Sequence, residues 1–395
     1  MSIATIDENG RIHLPESVAR ERSALSASEY WLEQREGALV LHPRSPDIHR
    51  IYVEPTTKCN FRCRTCIRNV WEDPEASMSA ATFERLLDSV RRLPALKRVV
   101  FTGFGEPLAH PQILSMIQAV RELGIAVSVG SNGALLTADV SAELVRLGVD
   151  RLVVSLDGVQ ATTYADVRGA ALSPVVENIR SLGEVKRRLG SALPMLGIEF
   201  VLLKRNVSEL SPLTALASQL GATRVLVSNV LPYTEEMREE VLYGYEPRAP
   251  FSPRGWPVRM DAYVMWGNME LPRLHWAANR RCRFIQDRAT VVGWDGSVAP
   301  CYALSHNYTY YAVDGKQKRV SRYSLGNLEG QALAEIWMSE EYVRFRAEVR
   351  DFRFPSCPDC DLRDSCDLRE RNEGCWGWNP SCADCLWAQD IVRCP

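Results

Sequence analysis

The segment RIYVEPTTKCNFRCRTC, residues 50–66, runs from a short apolar strand directly into a loop with three cysteines. Their spacing is C-x3-C-x2-C, at Cys59, Cys63 and Cys66. Three thiolates this close together suit three corners of a cubane iron–sulfur cluster and leave its fourth iron open for chemistry. A structural zinc ion is the competing interpretation, but it needs four ligands and no fourth cysteine or histidine follows nearby. Three unrelated thiols in a loop are the remaining alternative.

Outward from this segment, short apolar runs alternate with amphipathic helices. Strands are predicted at 50–55, 98–103, 125–130, 151–156, 197–203 and 224–229, and helices near 83–93, 111–123, 138–147, 172–188 and 208–219. Strands rich in Val, Ile and Leu that alternate with helices form parallel sheets buried on both faces. The pattern predicts an α/β fold, a partial (β/α)6 barrel over residues 48–232, with its active site at the carboxyl ends of the strands.

Composition and charge exclude several classes of protein. The chain has 395 residues and a net charge of −2, from 47 basic and 49 acidic residues, so no nucleic-acid partner is expected from bulk charge. No apolar run reaches the ~18–20 residues that cross a bilayer, so no membrane association is expected. The start MSIATIDENGR lacks the apolar stretch of a secretory signal. A cytoplasmic location is therefore expected.

The twelve cysteines are unevenly placed, with three between residues 59 and 66, none between 67 and 281, and nine between 282 and 394. Clustered cysteines in a long chain without a signal peptide are more typical of metal sites than of disulfides. A small region with a weak apolar core, such as 282–395, is often held together by metal.

The flanking segments divide the chain further. Residues 1–45 contain short apolar runs around Asn9-Gly10, a strong hairpin signal. This β-rich module resembles the swapped-hairpin modules of the AbrB type, and a dimerisation or docking role is favoured over DNA binding because its charges balance. Residues 233–281, with several prolines and three tryptophans, are interpreted as a structured connector.

The three-cysteine loop and the loops after later strands resemble those of the radical SAM enzymes. In that family the open iron chelates S-adenosylmethionine, which implies that Cys59, Cys63 and Cys66 hold a catalytic [4Fe-4S] cluster. The segment TGFGEP, with Gly103, Gly105 and Glu106, resembles the GGEP motif that meets the methionine ammonium group.

The resemblance implies further cofactor contacts. Ser131 and Asn132 belong to a contact loop, Ser155 and Arg168 would hold the methionine carboxylate, and Glu199 and Asn206 would touch the ribose. Two positions depart from the family pattern: Thr65 stands where an aromatic residue is common, and Phe104 replaces the second glycine. Neither departure removes a cluster ligand or the acidic group.

The C-terminal cysteines resemble the SPASM extension of radical SAM enzymes, which binds one or two auxiliary [4Fe-4S] clusters. The relevant residues are Cys282, Cys301, Cys357, Cys360, Cys366, Cys375, Cys382, Cys385 and Cys394. The expected partition puts Cys282, Cys301 and Cys375 on one cluster, and Cys357, Cys360 and Cys366 with Cys382 or Cys385 on the other. A zinc ribbon at Cys357, Cys360, Cys366 and Cys375 is the alternative.

Longer stretches such as FGEPLAHP and CWGWNPSCADCLW resemble the radical SAM maturases of tungsten-containing aldehyde ferredoxin oxidoreductases. This resemblance implies that the client is such an oxidoreductase or its tungstopterin cofactor. It also implies a low-potential electron donor such as ferredoxin or flavodoxin, and the N-terminal module suggests a homodimer. A SPASM maturase of a ribosomally made peptide or protein side chain is the main alternative. A metal-dependent DNA-binding regulator is remote, because a regulator needs no loops for S-adenosylmethionine.

Overall fold

The computed structural model describes residues 4–17, 29–35, 37–244, 269–272, 275, 279–312, 315–375, 377 and 379–394. Most of the predicted connector 233–281 lies outside these residues, including its three tryptophans. None of the described helices is both long and apolar enough to cross a membrane.

The N-terminal module consists of two antiparallel hairpins. Their strands are β1 (Thr5–Ile6), β2 (Ile12–His13), β3 (Tyr30–Arg35) and β4 (Ala38–Pro43). The first hairpin turns at Asn9-Gly10, where Gly10 has a φ of 76° that favours glycine. The predicted hairpin is confirmed, whereas the resemblance to AbrB modules stays a prediction.

A ten-stranded sheet dominates the rest of the molecule. The remaining strands are β5 (Arg50–Val53), β6 (Arg98–Phe101), β7 (Ala126–Ser131), β8 (Arg151–Ser155), β9 (Met195–Leu202), β10 (Arg224–Asn229), β11 (Met269–Glu270), β12 (Ala289–Val292), β13 (Ser297–Ala299), β14 (Tyr308–Tyr311), β15 (Gln317–Val320) and β16 (Gly326–Asn327). The order in the large sheet is β11-β10-β9-β8-β7-β6-β5-β12-β13-β16, parallel from β11 to β12 and antiparallel beyond. The six predicted strands, β5 to β10, are thus confirmed as neighbours in an open parallel sheet.

Helices connect these strands. They are α1 (Ala80–Arg91), α2 (Ile113–Glu122), α3 (Ala138–Arg146), α4 (Ala161–Arg168), α5 (Leu172–Arg188), α6 (Leu210–Gln219), α7 (Glu235–Arg238), α8 (Arg283–Gln286), α9 (Leu333–Met338) and α10 (Glu340–Arg350). The helices present apolar stripes to the sheet, as α5 does with Val175, Ile179 and Leu182, all buried. Side-chain caps fix the helix starts, for example Ser79 Oγ, which accepts a hydrogen bond from Thr82 N at 3.0 Å.

The C-terminal segment is joined to the barrel sheet. Strand β12 pairs in parallel with β5, in the register Ala289 to Arg50 and Val292 to Val53. An unpaired sheet edge exposes backbone hydrogen-bonding groups, and β12 satisfies those of β5. The segment that begins at residue 282 therefore belongs to the same sheet as β5, the strand that leads into the first cysteine loop. His306, in this C-terminal segment, contacts Glu54 directly after β5.

Candidate active site

The first three cysteines lie on the loop that follows β5, as expected. Cys66 N donates to Cys63 O at 3.2 Å, and Phe61 N donates to Cys59 Sγ at 3.4 Å. Burial raises the pKa of Cys63 to about 12, although the Arg168 guanidinium opposes the shift. A thiol in this setting ionises when a metal supplies positive charge, so the loop suits metal ligation better than free thiolate chemistry.

The predicted GGEP-like loop is tied to the cysteine loop by backbone contacts. Glu106 N donates to Lys58 O at 2.8 Å. Gly105 packs so closely that a Cβ there would overlap the carbonyl oxygen of Thr56 and lie 2.8 Å from that of Lys58. Gly103 has a φ of 154°, and a Cβ there would lie 2.5 Å from Glu54 Cγ. Only glycine fits both positions, which brings the loop backbone close to the cysteines.

Glu106 is buried and joins this loop to the next predicted contact loop. Its Oε1 accepts from Ser131 Oγ at 2.8 Å and from Leu108 N at 3.1 Å, while Oε2 accepts from Asn132 N at 2.7 Å. Burial raises the pKa of Glu106, and these three hydrogen bonds hold it down in part. The network fixes the carboxylate in one orientation, with Ser131 and Asn132 beside it.

Arg168 lies at the end of α4 and forms a buried ion pair with Asp157. Its Nη1 donates to Asp157 Oδ2 at 2.9 Å, and its Nε has no hydrogen-bond partner among the described residues. Although burial opposes it, the charge of Asp157 raises the pKa of Arg168 further above its usual range, so the guanidinium stays charged. Asp157 is an orienting residue that sequence reasoning missed, although it follows Ser155 by two positions.

Glu199 is a half-buried residue on β9, and its carboxyl group lies near this ion pair. Burial and the charge of Asp157 raise the pKa of Glu199 to about 7, against the lowering effects of Arg168 and of a hydrogen bond from Ser155. A carboxyl with this pKa exchanges protons near neutral pH.

One cavity of about 240 Å³ brings these groups together at the carboxyl ends of the parallel strands. The predicted residues that line it are Cys59, Cys63, Cys66, Gly103, Gly105, Glu106, Ser131, Asn132, Ser155, Arg168 and Glu199. Its lining also includes Asn229, Tyr302, Trp387 and Arg393, which the sequence did not point to, and Cys394, which the sequence placed among the SPASM cysteines.

Asn206 is the predicted contact that the cavity leaves out. Its Oδ1 accepts from Leu203 N at 2.7 Å, and its Nδ2 donates to the carbonyls of Asp157 at 3.0 Å and Val201 at 2.8 Å. Asn206 is thus engaged by the backbone and is not among the residues that line the cavity, and its expected ribose contact stays a prediction. Through its bond to the carbonyl oxygen of Asp157, the Asn206 amide stabilises the backbone at that residue.

A buried acid–imidazole cluster lies behind the GGEP-like loop. His306 Nε2 lies 2.8 Å from Glu54 Oε2, and its Nδ1 bonds to Asp73. Glu54 Oε1 in turn accepts from Phe104 N at 2.8 Å. Burial disfavours the charged imidazole, but the two carboxylates raise the pKa of His306 to about 9. The sequence gives no signal for this cluster, since His306 is 252 residues from Glu54.

The later cysteines form two neighbourhoods that differ from the expected partition. Burial raises the pKa of Cys301 well above its usual value, and Cys282, Cys385 and Cys382 raise it further. Burial likewise raises the pKa of Cys375, with added contributions from Cys366 and Cys360. Thiols that influence one another in this way are near neighbours.

The first neighbourhood is therefore Cys282, Cys301, Cys382 and Cys385, and the second is Cys357, Cys360, Cys366 and Cys375. The expected partition placed Cys375 with Cys282 and Cys301, whereas the thiols that influence its pKa are Cys366 and Cys360, and the ligand assignment stays a prediction. Each neighbourhood supplies four thiols, the ligand number of a cubane cluster. No three His, Cys, Asp or Glu side chains in the described ranges are arranged to hold a single metal ion.

Comparisons with known proteins agree with this site. The family model of the radical SAM superfamily matches residues 53–200, and that of the SPASM iron–sulfur cluster-binding domain matches residues 282–361. The chain is 37% identical to the tungsten-containing aldehyde ferredoxin oxidoreductase cofactor-modifying protein of Pyrococcus furiosus, over 87% of this chain and 96% of that protein. It is 24% identical to the PqqA peptide cyclase of Gluconobacter oxydans, over 83% and 84% of the two chains.

A crystal structure of Streptococcus suis SuiB bound to precursor peptide SuiA shares the fold, with a TM-score of 0.58 and 16% identity over 89% of this chain and 82% of that chain. The cofactors of the present chain are S-adenosylmethionine and [4Fe-4S] clusters. The matched motifs, the cysteine loop and the extensive similarity to the Pyrococcus protein show that the chain belongs to the radical SAM superfamily and carries a SPASM domain.

Proposed function

We propose that the chain is a maturase that cleaves S-adenosylmethionine reductively and uses the resulting 5′-deoxyadenosyl radical to modify a tungstopterin cofactor or its host aldehyde ferredoxin oxidoreductase. The observation that supports the radical chemistry is that Cys59, Cys63 and Cys66 line the same cavity as Glu106 and Arg168. Support for the client comes from the similarity to the Pyrococcus protein over nearly the full length of both chains.

The protein's own residues would bind and orient the cofactor. The three cysteines would hold a cubane cluster with one iron free of protein ligands, and the reduced cluster would supply the electron for the cleavage. The fixed carboxylate of Glu106 suits the methionine ammonium group, and the charged Arg168 suits the carboxylate. Tyr302 and Trp387 add aromatic side chains to the lining of the same cavity.

The first test is cofactor cleavage by anaerobically reconstituted protein with dithionite and S-adenosylmethionine. The wild type should release 5′-deoxyadenosine, and Cys63→Ala should not, because a cubane with two loop ligands is not held in place. Arg62→Ala is the matched control in the same loop, since Arg62 is exposed and outside the cavity lining. Equal activity of Cys63→Ala and the wild type would refute the site.

The second test is the metal content of the C-terminal region. With one loop cluster and one or two auxiliary clusters, the protein should bind about eight to twelve irons per chain. Zinc in place of iron at either four-cysteine neighbourhood would overturn the auxiliary-cluster part of the proposal.

The client is tested in the host by deleting the gene. The activity and the cofactor mass of tungsten oxidoreductases should both change, and a copy of the gene with Cys63→Ala should not restore them. Unchanged oxidoreductases would favour the second candidate function, a peptide or protein maturase, which the similarity to the PqqA peptide cyclase supports. The proposal includes a cytoplasmic location, a ferredoxin- or flavodoxin-type electron donor and a homodimer formed through residues 1–45.

A further inference from the structure

The last described residues of the chain enter the cavity that holds the loop cysteines. Asn229 at the end of β10 anchors them, because its backbone N and its Nδ2 both donate to Ile391 O at 3.1 Å. Arg393 N donates to Ser228 Oγ at 2.9 Å. These bonds fix the C-terminal segment against β10, and Trp387, Arg393 and Cys394 line the cavity as a result.

Cys394 is a ninth C-terminal cysteine beyond the two sets of four thiols, although Cys385 of the first neighbourhood lies close enough to raise its pKa. Its Sγ accepts a hydrogen bond from Trp387 Nε1 at 3.0 Å, which fixes the sulfur within the cavity lining. Burial and the charges of Glu199 and Cys385 raise the pKa of Cys394 to about 12, against the lowering effect of the hydrogen bond from Trp387. A thiol with a raised pKa keeps its hydrogen at neutral pH while no metal binds the sulfur, so an S–H bond is available inside the cavity.

Two other polar groups show that this part of the cavity is built for a further ligand. Asn229 Oδ1 and Arg393 Nη1 are buried and have no hydrogen-bond partner among the described residues. Arg393 directs its Nε and other Nη atom to Asp390, so only Nη1 remains available. Leaving a buried polar atom without a hydrogen-bond partner costs free energy. A bound substrate that donates to Asn229 Oδ1 and accepts from Arg393 Nη1 would remove this cost.

We propose that the Cys394 thiol is a hydrogen-atom donor to carbon radicals in this cavity. The inference rests on the proposed function, which generates such radicals. The S–H bond breaks and a C–H bond forms on the radical carbon, leaving a thiyl radical on Cys394. One electron from the ferredoxin- or flavodoxin-type donor and one proton from solvent return the thiyl radical to the thiol. An S–H bond is weaker than an unactivated C–H bond, so the transfer runs downhill.

The test follows deuterium from solvent, because a thiol exchanges its hydrogen with D2O and a C–H bond does not. Wild-type protein in D2O, given dithionite and S-adenosylmethionine without substrate, should form 5′-deoxyadenosine with deuterium at the 5′ carbon. In Cys394→Ala and Cys394→Ser, the deuterated fraction of the 5′-deoxyadenosine that forms should fall at least about tenfold. Serine is the conservative variant, since its O–H bond is too strong to give up a hydrogen atom.

Iron content provides a readout that does not depend on turnover. Cys394→Ala should bind as much iron as the wild type, whereas Cys385→Ala, on the same C-terminal segment, should bind less because Cys385 belongs to a four-thiol neighbourhood. Loss of iron in Cys394→Ala would make Cys394 a cluster ligand and overturn the proposal. An unchanged deuterated fraction, no deuterium in the wild-type product, or complete loss of 5′-deoxyadenosine in both variants would also overturn it. No 5′-deoxyadenosine from the wild type would instead refute the proposed function.

Discussion

At the scale of single residues, His306 links the C-terminal segment to the loop that is proposed to hold methionine. Its ring bonds to Glu54 and Asp73 and packs against Trp71, with ring centroids 4.5 Å apart. Because the folded pKa of His306, about 9, lies above the ordinary value of 6.5, its charge stabilises the folded state below pH 6.5, and that contribution is lost as the pH rises through 9. The contribution amounts to at most about 3 kcal/mol.

We therefore predict that raising the pH from 6.5 to 9 lowers the midpoint of thermal unfolding of the wild type, with its iron–sulfur clusters bound, more than it lowers the midpoint of His306→Gln. Glutamine keeps a polar group in the space but does not titrate, so the difference between the two curves isolates the imidazole. Anaerobic calorimetry at several pH values measures it. If the unfolding midpoints of the two proteins change with pH in the same way, protonation of His306 does not contribute to the stability of the folded state.

Contacts between site residues could be predicted where the spacing along the chain determines them, and could not be predicted where the fold brings distant segments together. Cys59, Cys63 and Cys66 lie within eight residues, so their convergence follows from the sequence. His306 and Glu54 meet only because β12 pairs with β5, and nothing local signals that pairing. Asn206 was expected at the ribose from resemblance, yet its amide is engaged by local backbone groups.

At the scale of elements, the loop after β6 crosses the cysteine loop at a distance that excludes a side chain at Gly105. Gly105→Ala would force the Cβ against the carbonyl oxygens of Thr56 and Lys58 and displace Glu106. Moving the two loops apart to relieve this overlap costs about 1–3 kcal/mol, so the affinity for S-adenosylmethionine should fall by about fivefold or more. Equilibrium binding of the cofactor to the anaerobic clustered protein measures the change.

Gly183→Ala is the matched control for this substitution. Gly183 lies inside α5, and a methyl group added there would meet no atom within 4 Å beyond the local backbone of the helix. Alanine should therefore keep cofactor affinity and stabilise the helix by about 0.5–1 kcal/mol. Equal cofactor affinity of Gly105→Ala and the wild type would contradict the close crossing of the two loops.

Elements with strong periodicity were predicted to within a few residues, and weakly patterned ones were not. Strands β5 to β10 and helices α1, α2, α3, α5 and α6 all lie where apolar spacing placed them. Helix α4 was missed because its eight residues lack a clear apolar stripe; its buried side chains include the charged Arg168. Strand β12 is too short and too far along the chain for its partner to be read from the sequence.

At the scale of the whole molecule, the N-terminal module docks on the C-terminal helices of the same chain. Trp31 Nε1 donates to Met338 O at 2.9 Å, and Arg353 binds both carboxylate oxygens of Glu33, at 2.6 Å and 3.0 Å. These contacts fix the β3–β4 hairpin to α9 and to the end of α10. They leave Leu32, Leu39 and Leu41 on the hairpin exposed, by 60%, 48% and 42%.

An exposed apolar group on a docked module marks an interaction surface, and a symmetric dimer would bury it against a second copy. Leu32 and Leu41 face each other across the hairpin, so changing both to Asp should prevent the association by placing charges at its centre. Light scattering after size exclusion should give twice the 44.5 kDa chain mass for the wild type and the single mass for Leu32→Asp with Leu41→Asp. Leu189→Asp, at a leucine exposed by 41% at the end of α5, should remain dimeric. A wild type that is monomeric at micromolar concentration would contradict the dimer. Loss of client modification in the double variant would then indicate that these leucines bind the client.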